Sequence, residues 1–216
     1  MSSFAAIRQL AEQAVERYER LDVLINNAGG VFSQQQLSQD GYEMTLAVNY
    51  LAPFLLTHLL LDSLRASGAG RIINVASRMQ AKQLQLEALP KQDAGRYSGM
   101  GVYRQAKTAL LMMTYHLANR LPEHEVTVNA LHPGVIYTPQ SAKSAPSFIR
   151  PLMKLVMQSP EQGAATSLYL ATSPEVSQVT GNYYVGQRPV RTVPVSYDAA
   201  LQQQLYEQSL VWTGLR

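Results

Sequence analysis

The sequence predicts an α/β fold in which a parallel sheet carries helices on both faces. Short apolar runs that end in turn residues are typical of buried parallel strands, and they occur at 21–25, 71–76, 125–132 and 179–185. Stretches of helical period lie between these runs. The resulting alternation of helix and strand is the pattern of a sheet flanked by helices, in a single domain that covers residues 1–216.

The helices are predicted from apolar spacing and from their end signals. Ser2 or Ser3 can cap the first helix, and Pro160 suits the first turn of a later one. A Gly-Ala-Gly stop at 68–70 ends the second. The predicted spans are 4–20, 38–67 with Pro53 inside it, 102–121, 160–172 and 198–211.

Composition excludes several classes of protein. The thirteen Arg and five Lys are scattered, and the net charge is +3, so nucleic-acid binding is not expected. With no Cys, the chain can have neither a disulfide framework nor a Cys-based metal site, and no metal site is predicted. The longest apolar run, 51–61, is too short to span a bilayer and is interpreted as a buried helix. Because no signal peptide is apparent either, a cytoplasmic location is expected.

The helix at 102–121 carries a pair of residues with chemical potential. Tyr103 and Lys107 are four residues apart, so they share one face. An ammonium group near a phenol lowers the phenol pKa, which would let Tyr103 move a proton at a carbonyl or alcohol carbon. Taken alone this signal is weak, and without further motifs an ordinary exposed helix pair would be the better interpretation.

Strand ends supply further candidates, because ligands of open α/β sheets bind at the carboxyl ends of the strands. Asn26, Ala28 and Gly29 follow the first strand, where small residues let a flat ligand approach the backbone. Gly29 could also be only a turn residue. Ser77 follows the second strand and could donate a hydrogen bond to a substrate oxygen or cap a helix.

Asn49 lies within an apolar part of the second helix. A buried amide that is not hydrogen-bonded costs about 1–3 kcal/mol, so a main-chain bracket is predicted for it. That role is compatible with a catalytic one.

The third strand is followed by Pro133, Gly134, Ile136 and Thr138. Thr138 could bind a phosphate or start a helix. The apolar stretch 148–157 could be a lid over an apolar substrate or a packing helix. The polar excursion 78–101 is long enough to be either functional or disordered.

Taken together, these motifs resemble the short-chain dehydrogenase/reductase family. The ordered set is Asn-Asn-Ala-Gly at 26–29, Asn49, Ser77, Tyr-x-x-x-Lys at 103–107 and Pro-Gly-x-x-x-Thr at 133–138. The long spacing from Ser77 to Tyr103 and the stretches at 131–138 and 159–185 are most similar to the retinol-dehydrogenase-like branch. The resemblance covers nearly the whole chain and implies a three-layer Rossmann-type sheet.

The resemblance also implies roles for individual residues. Tyr103 would be the general acid/base, and Lys107 would lower its pKa and hold the nicotinamide ribose. Ser77 would orient the substrate carbonyl, and Asn49 would hold a water in a proton relay. Two groups would line the cofactor: Asn26, Ala28 and Gly29 on the adenosine side, and Pro133, Gly134, Ile136 and Thr138 at the nicotinamide end.

The implied reaction is hydride transfer between NADP (or NAD) and the carbonyl or alcohol group of a small apolar substrate. In this family the helix at 102–121 commonly forms a dimer, and its apolar face (Leu110, Met113, Leu117) leads us to expect a homo-oligomer.

One departure from the family pattern affects the expected function. The family begins with a strand and a Gly-rich phosphate-binding turn, whereas residues 1–25 contain no Gly. The sheet is therefore expected to be incomplete at its N-terminal side. Either the chain is a piece of an enzyme with weakened cofactor affinity, or it is a non-catalytic remnant that acts as a binding module or has no function. Another chain could also supply the missing strands.

Overall fold

One mixed sheet organises the molecule. The computed structural model describes residues 1–90, 97–122, 125–136 and 157–216. Within these residues, five strands form a sheet in the order β1-β2-β3-β4-β5. β1 to β4 run parallel, and β5 is antiparallel to β4. The strands are β1 (Val23–Asn26), β2 (Gly70–Val75), β3 (Val126–His132), β4 (Tyr183–Val185) and β5 (Arg188–Pro189).

The predicted helices are present, with shifted ends. Ser3 caps the first helix through the Ala6 N–H, and Ser159 forms a capping box with Gln162 at the start of a later one. The second helix begins six residues later than predicted, because Glu43 is its cap. The helices are α1 (Phe4–Arg17), α2 (Met44–Arg65), α3 (Gly99–Arg120), α4 (Pro160–Thr172) and α5 (Ala199–Trp212).

The antiparallel hairpin of β4 and β5 corrects the prediction of a purely parallel sheet. Gly186 and Gln187 form its two-residue turn, and both have positive φ, +55° and +65°. Such a turn matches the twist of paired strands and reverses the chain within two residues. The hairpin brings residues 190–193 back beside β4, where the Val190 N–H donates to the Tyr183 carbonyl.

The sheet separates two apolar layers, as predicted for helices on both faces. Alternate residues of β2 face opposite sides: Ile72 packs into the larger cluster with α1, α2, α3 and α5, and Ile73 packs with α4. Among the described residues, the smaller layer covers β2 and β3 and leaves β1 open. Val23 and Ile25 on that face are 36% and 39% exposed. In the described part of the chain, β1 pairs with β2 alone and forms one edge of the sheet.

Helix α2 is a core helix. By length and composition it could cross a membrane, but 72% of its most apolar window is buried inside the fold. Phe54 and Leu55 have no exposed surface, which confirms that the apolar run 51–61 is a buried helix. The helix has 22 residues, twice the length of the apolar run 51–61 that we considered too short to span a bilayer.

The apolar face of α3 is covered by the chain itself. Leu110, Met113 and Leu117 are 1%, 2% and 3% exposed, and α5 packs against α3. These three side chains belong to the larger core cluster. The observation from which we expected a dimer through this helix therefore does not hold, because the face is occupied within one chain.

Candidate active site

Tyr103 and Ser77 meet where the first turns of α3 reach the end of β2. Ser98 caps α3 by accepting from the Gly101 N–H, so the helix begins four residues before Tyr103. Gly99 has no side chain at a point where a Cβ atom would collide with the Phe32 carbonyl oxygen. Burial raises the pKa of Tyr103, and a hydrogen bond with the Ser77 side chain lowers it in part. The two hydroxyl groups therefore form one polar centre.

Lys107 lies beneath this centre and is 3% exposed, so the pair is not an exposed helix pair. Its Nζ donates to the Val75 carbonyl oxygen at 2.7 Å and lies 5.7 Å from the centroid of the Tyr103 ring. Burial lowers the pKa of Lys107 to about 8. The prediction that Lys107 lowers the pKa of Tyr103 is not supported, since that pKa is raised and the causes are burial and Ser77.

Gly29 brings the end of β1 against the same lysine. A Cβ atom at Gly29 would lie 2.6 Å from Asn49 Oδ1 and 3.2 Å from Lys107 Nζ. The first distance is shorter than real contacts of a Cβ atom, so only glycine fits this position without displacement of Asn49. Ala28 and Gly29 are exposed, so a ligand can reach the backbone of these two residues, which we call the Gly29 cradle. The close approach, rather than a turn, requires glycine here.

Asn49 forms the predicted main-chain bracket. Its Nδ2 donates to the carbonyl oxygens of Gly30 and Thr45, both at 2.7 Å, and its Oδ1 accepts from the Gly30 N–H at 3.1 Å. The residue lies in a π-helical turn, Ala47–Leu51, a feature that is frequent at functional sites. Pro53 has no N–H, so the Asn49 carbonyl loses its ordinary α-helical donor.

Ser77 does not cap a helix, because residues 78–83 form none. Its Oγ accepts from the Met79 N–H at 3.1 Å, and its carbonyl accepts from Gln80 Nε2 at 2.9 Å. The local turn therefore holds the Ser77 side chain, and Gln80 holds the Ser77 main chain.

The Asn26 side chain faces the interior. Nδ2 donates to Thr57 Oγ1 at 3.0 Å and to Asn74 Oδ1 at 2.8 Å, and the residue is 3% exposed. Asn74 in turn donates to Thr114 Oγ1. If Asn26 contacts a cofactor, it does so through its main chain.

The loop after β3 is held from the α4 side. Gly134 has φ +93°, and a Cβ atom there would collide with the side chain of Gln158. The Gln158 N–H donates to the Val135 carbonyl, and Ile136 packs on Gly163, which has no room for a side chain. Pro133, Gly134 and Ile136 thus lie at one strand end, as predicted. Thr138 and most of the stretch 148–157 lie outside the described residues.

Sequence reasoning missed two residues beside the centre. Gln80 joins the Ser77 carbonyl to the Val193 N–H, from which its Oε1 accepts at 2.9 Å. Tyr183, on β4, is close enough to Tyr103 to interact with it electrostatically. No periodic signal marks Gln80, and a strand tyrosine is ordinary until the strand order is known.

The residues present fit a nicotinamide cofactor. The Lys107 ammonium group has three N–H donors, and its one hydrogen bond among the described residues is to Val75. Buried donors require partners, and ribose hydroxyl groups are suitable ones. The exposed Gly29 cradle offers the close backbone approach that a flat ligand needs. Within the described ranges, no group of three or more acidic or imidazole side chains could hold a metal ion.

Comparisons with known proteins agree with this geometry. A family described as short chain dehydrogenase matches residues 1–147. Human retinol dehydrogenase 13 is 36% identical over 223 residues, which cover 100% of this chain and 67% of that protein. Human polyprenol dehydrogenase is 36% identical over 225 residues, with 100% and 68% covered. The chain spans about two thirds of the length of the curated relatives that it matches.

Solved structures share the fold. The crystal structure of an uncharacterised protein from Mycobacterium Paratuberculosis superposes with a TM-score of 0.76 at 27% identity, covering 99% of this chain and 73% of that one. A variant of a Serratia marcescens short-chain dehydrogenase/reductase has a TM-score of 0.62 at 28% identity, covering 84% and 70%.

A Rossmann-type sheet with serine, tyrosine and lysine side chains grouped at the carboxyl ends of its strands is typical of oxidoreductases that use a nicotinamide cofactor. The chain belongs to the short-chain dehydrogenase/reductase family, whose members are oxidoreductases that generally use NAD or NADP. Its relatives place it in the retinol-dehydrogenase-like branch.

Proposed function

We propose that this chain is the catalytic part of an NADP-dependent dehydrogenase or reductase that acts on the carbonyl or alcohol group of a small apolar molecule. The observation that carries the proposal is that the side chains of Tyr103 and Ser77 interact, while the buried Lys107 Nζ lies 5.7 Å from the centroid of the Tyr103 ring and beside the exposed Gly29. Tyrosine, serine and lysine so arranged can bind a carbonyl oxygen and move one proton to or from it.

Each residue has a distinct part in the proposed reaction. A bound nicotinamide supplies or accepts the hydride. The Tyr103 hydroxyl gives a proton to the substrate oxygen in reduction and takes it back in oxidation, while Ser77 donates a second hydrogen bond to that oxygen. Lys107, through its remaining N–H groups, holds ribose hydroxyl groups. A water on the Asn49 carbonyl would bring a proton from solvent to Tyr103 after reduction and carry one to solvent after oxidation.

Cofactor contacts are proposed at both sides of this centre. Ala28, Gly29 and the main chain of Asn26 would line the adenosine side, and Pro133, Gly134 and Ile136 the nicotinamide end. NADP is preferred to NAD because the retinol-dehydrogenase-like branch often uses it. The apolar substrate class is supported by relatives named for retinol and polyprenol. A cytoplasmic location completes the proposal and rests on the amino-acid composition alone.

Cofactor titration is the first test. Fluorescence of NADPH and NADH is followed as the 216-residue chain is added. The same titration is made with the variant Gly29→Ala, which alters the Gly29 cradle, and with Gly30→Ala as its matched control. Micromolar binding that Gly29→Ala weakens and Gly30→Ala does not is the expected result. If the chain binds neither nucleotide at millimolar concentration, it does not hold the cofactor unaided, and a non-catalytic role gains support.

Turnover tests the acid/base. With aliphatic aldehydes and NADPH, Tyr103→Phe should lower kcat at least about a hundredfold, because general acid–base catalysis contributes about 10²–10⁴-fold. Tyr18→Phe, a change at an exposed tyrosine, is the control and should keep full activity. Full activity in Tyr103→Phe would show that another group moves the proton.

A further inference from the structure

A cavity of about 510 Å³ opens beside Gln80, the residue that donates to the Ser77 carbonyl. β4, the hairpin strand β5 with the loop that follows it, and the turn after β2 form its walls. Its lining combines two arginines, Arg78 and Arg191, with three valines and three uncharged polar side chains, among them Gln80 and Tyr183.

Tyr183 is the buried polar group of this cavity. The residue is 3% exposed, and no group among the described residues lies within hydrogen-bonding geometry of its hydroxyl oxygen, although the Gln80 side chain is near enough to lower its pKa. Burial raises the pKa of Tyr183 to about 12, so the phenol stays neutral and keeps its proton. An unpaired buried hydroxyl is unfavourable, so a ligand or a water is expected to complete its hydrogen bonding.

The cavity is joined to the proposed catalytic centre by defined contacts. Gln80 lines the cavity, donates to the Ser77 carbonyl and accepts from the N–H of Val193, which also lines the cavity. Tyr183 interacts electrostatically with Tyr103. A molecule whose carbonyl oxygen rests on Tyr103 and Ser77 would therefore have its remaining atoms next to Tyr183 and the valines.

The charged lining of the cavity is positive throughout. Arg78 and Arg191 are its charged residues, and within the described ranges neither forms an ion pair. The positive charge of Arg78 acts on two partly buried groups, because it lowers the pKa of both Tyr183 and His132. The guanidinium of Arg191 lies 5.5 Å from the centre of the Tyr197 ring, which restricts its position.

The wall that carries Arg191 is fixed to the rest of the fold. The Thr192 N–H donates to Tyr197 Oη at 3.0 Å, and Thr192 Oγ1 is hydrogen-bonded to Tyr115 Oη at 2.9 Å and to Ser196 Oγ at 2.6 Å. Because Tyr115 belongs to α3, the helix that holds Tyr103 also positions this wall. A preformed wall reduces the cost of ordering a ligand.

We propose that this cavity selects a substrate with an aliphatic body and a carboxylate group, the body lying on the valines and the carboxylate accepting hydrogen bonds from Arg78, Arg191 and Tyr183. Guanidinium groups match the planar, two-oxygen geometry of a carboxylate. The inference rests on the proposed oxidoreductase function but changes the substrate class given there: the reacting compound would be an oxo acid or hydroxy acid with an aliphatic body, not an uncharged aldehyde or alcohol.

A binding measurement tests the cavity without any cofactor. Hexanoate and hexanol are titrated into the 216-residue chain, with affinity followed by saturation-transfer NMR. The wild type should bind hexanoate at least about tenfold more tightly than hexanol, because a charge-assisted hydrogen bond is worth more than about 1.4 kcal/mol. Arg78→Gln combined with Arg191→Gln should abolish this preference, while Arg188→Gln, an exposed change on β5, should keep it.

Tyr183→Phe separates ligand binding from folding. Removal of an unpaired buried hydroxyl should leave the melting temperature of the free protein unchanged or higher, whereas hexanoate affinity should fall several-fold. A melting temperature that falls by several degrees, with hexanoate affinity unchanged, would mean that Tyr183 is structural, and it would overturn the role given to its hydroxyl.

Turnover distinguishes the two proposals. If hexanoate binds as described but no carbonyl compound is reduced, the carboxylate cavity stands and the oxidoreductase function fails. If a neutral aldehyde and the aldehyde acid of equal length are reduced with equal kcat/KM, and the double arginine variant changes neither, the function stands and the carboxylate cavity is wrong.

Discussion

Two adjacent glycines at the end of β1 differ sharply in the room around them. A Cβ atom at Gly29 would overlap Asn49 Oδ1, whereas one at Gly30 would meet nothing within 4 Å. Because Asn49 is fixed by three hydrogen bonds, it cannot simply move aside. We predict that Gly29→Ala lowers the free energy of unfolding by about 1–3 kcal/mol, as overpacking does, and weakens NADPH binding.

The matched variant Gly30→Ala should stay within about 0.5 kcal/mol of the wild type in urea denaturation. Equal effects of the two substitutions would contradict the close approach at Gly29 and leave both residues as turn glycines.

Lys107 makes stability depend on pH in a defined direction. Burial lowers its pKa in the folded chain to about 8 from the ordinary lysine value of 10.5, so between these values the unfolded chain binds a proton that the folded chain does not. Stability therefore rises with pH through this window. We predict that, from about pH 7 to about pH 9.5, the wild type gains about 2 kcal/mol in free energy of unfolding relative to Lys107→Met.

Denaturant unfolding of both proteins at the two pH values measures this difference. Buried tyrosines titrate above this range and lower stability there, so the comparison ends before about pH 10. A difference between the two proteins that does not change with pH would show that Lys107 keeps an ordinary pKa.

At the level of elements, the π-helical turn of α2 ties the helix to the end of β1. Asn49 supplies the tie through both Gly30 main-chain groups. We predict that Asn49→Ala costs about 2–3 kcal/mol of stability, because these groups and the Thr45 carbonyl lose partners in a buried region.

Asn119→Ala, at an exposed position near the end of α3, is the control and should change stability by less than about 0.5 kcal/mol. Thermal and urea unfolding report both values. Should Asn49→Ala be as stable as the control, the amide bracket contributes nothing to folding.

Element types were largely predictable because each strand and helix has its own local pattern. The parallel strands follow from short apolar runs, and α4 follows from Ser159 and Pro160 at its start. The β4–β5 hairpin was missed because a two-residue strand has no measurable period and its Gly-Gln turn lacks the usual Asn-Gly signal. The late start of α2 was missed because its cap is Glu43, a residue type that rarely marks a helix start.

For the site, the sequence indicated positions more reliably than orientations. Ser77, Tyr103 and Lys107 lie together as predicted. Asn26 is at the predicted strand end, but its side chain is buried in a network whose partners lie 31 and 48 residues away. Such long-range packing decides which way a polar side chain points and how far its pKa moves, and a local sequence pattern contains neither.

At the scale of the whole molecule, one face of β1 is left without a covering helix among the described residues. Val23 and Ile25 are exposed on an edge strand, and such edges pair with other chains. We predict that the 216-residue chain self-associates in a concentration-dependent way and that Ile25→Lys reduces this association. Sedimentation velocity over a range of concentrations measures it.

Val211→Lys serves as the control, since Val211 is 56% exposed but belongs to helix α5. If Val211→Lys reduces association as much as Ile25→Lys does, added charge and not the strand edge is responsible.

The buried amide network also protects the sheet against strand slippage. Asn26 and Asn74 stand directly opposite each other in the β1–β2 pairing. A slip of two residues would keep every apolar side chain on its own face, so hydrophobic patterning cannot oppose it. It would, however, place the Asn26 amide opposite Ile72 or Ala76 and leave its N–H donors without partners in an apolar layer. One hydrogen-bonded pair thereby makes the native alignment of these two strands the favoured one, and with it the position of Gly29 relative to Lys107.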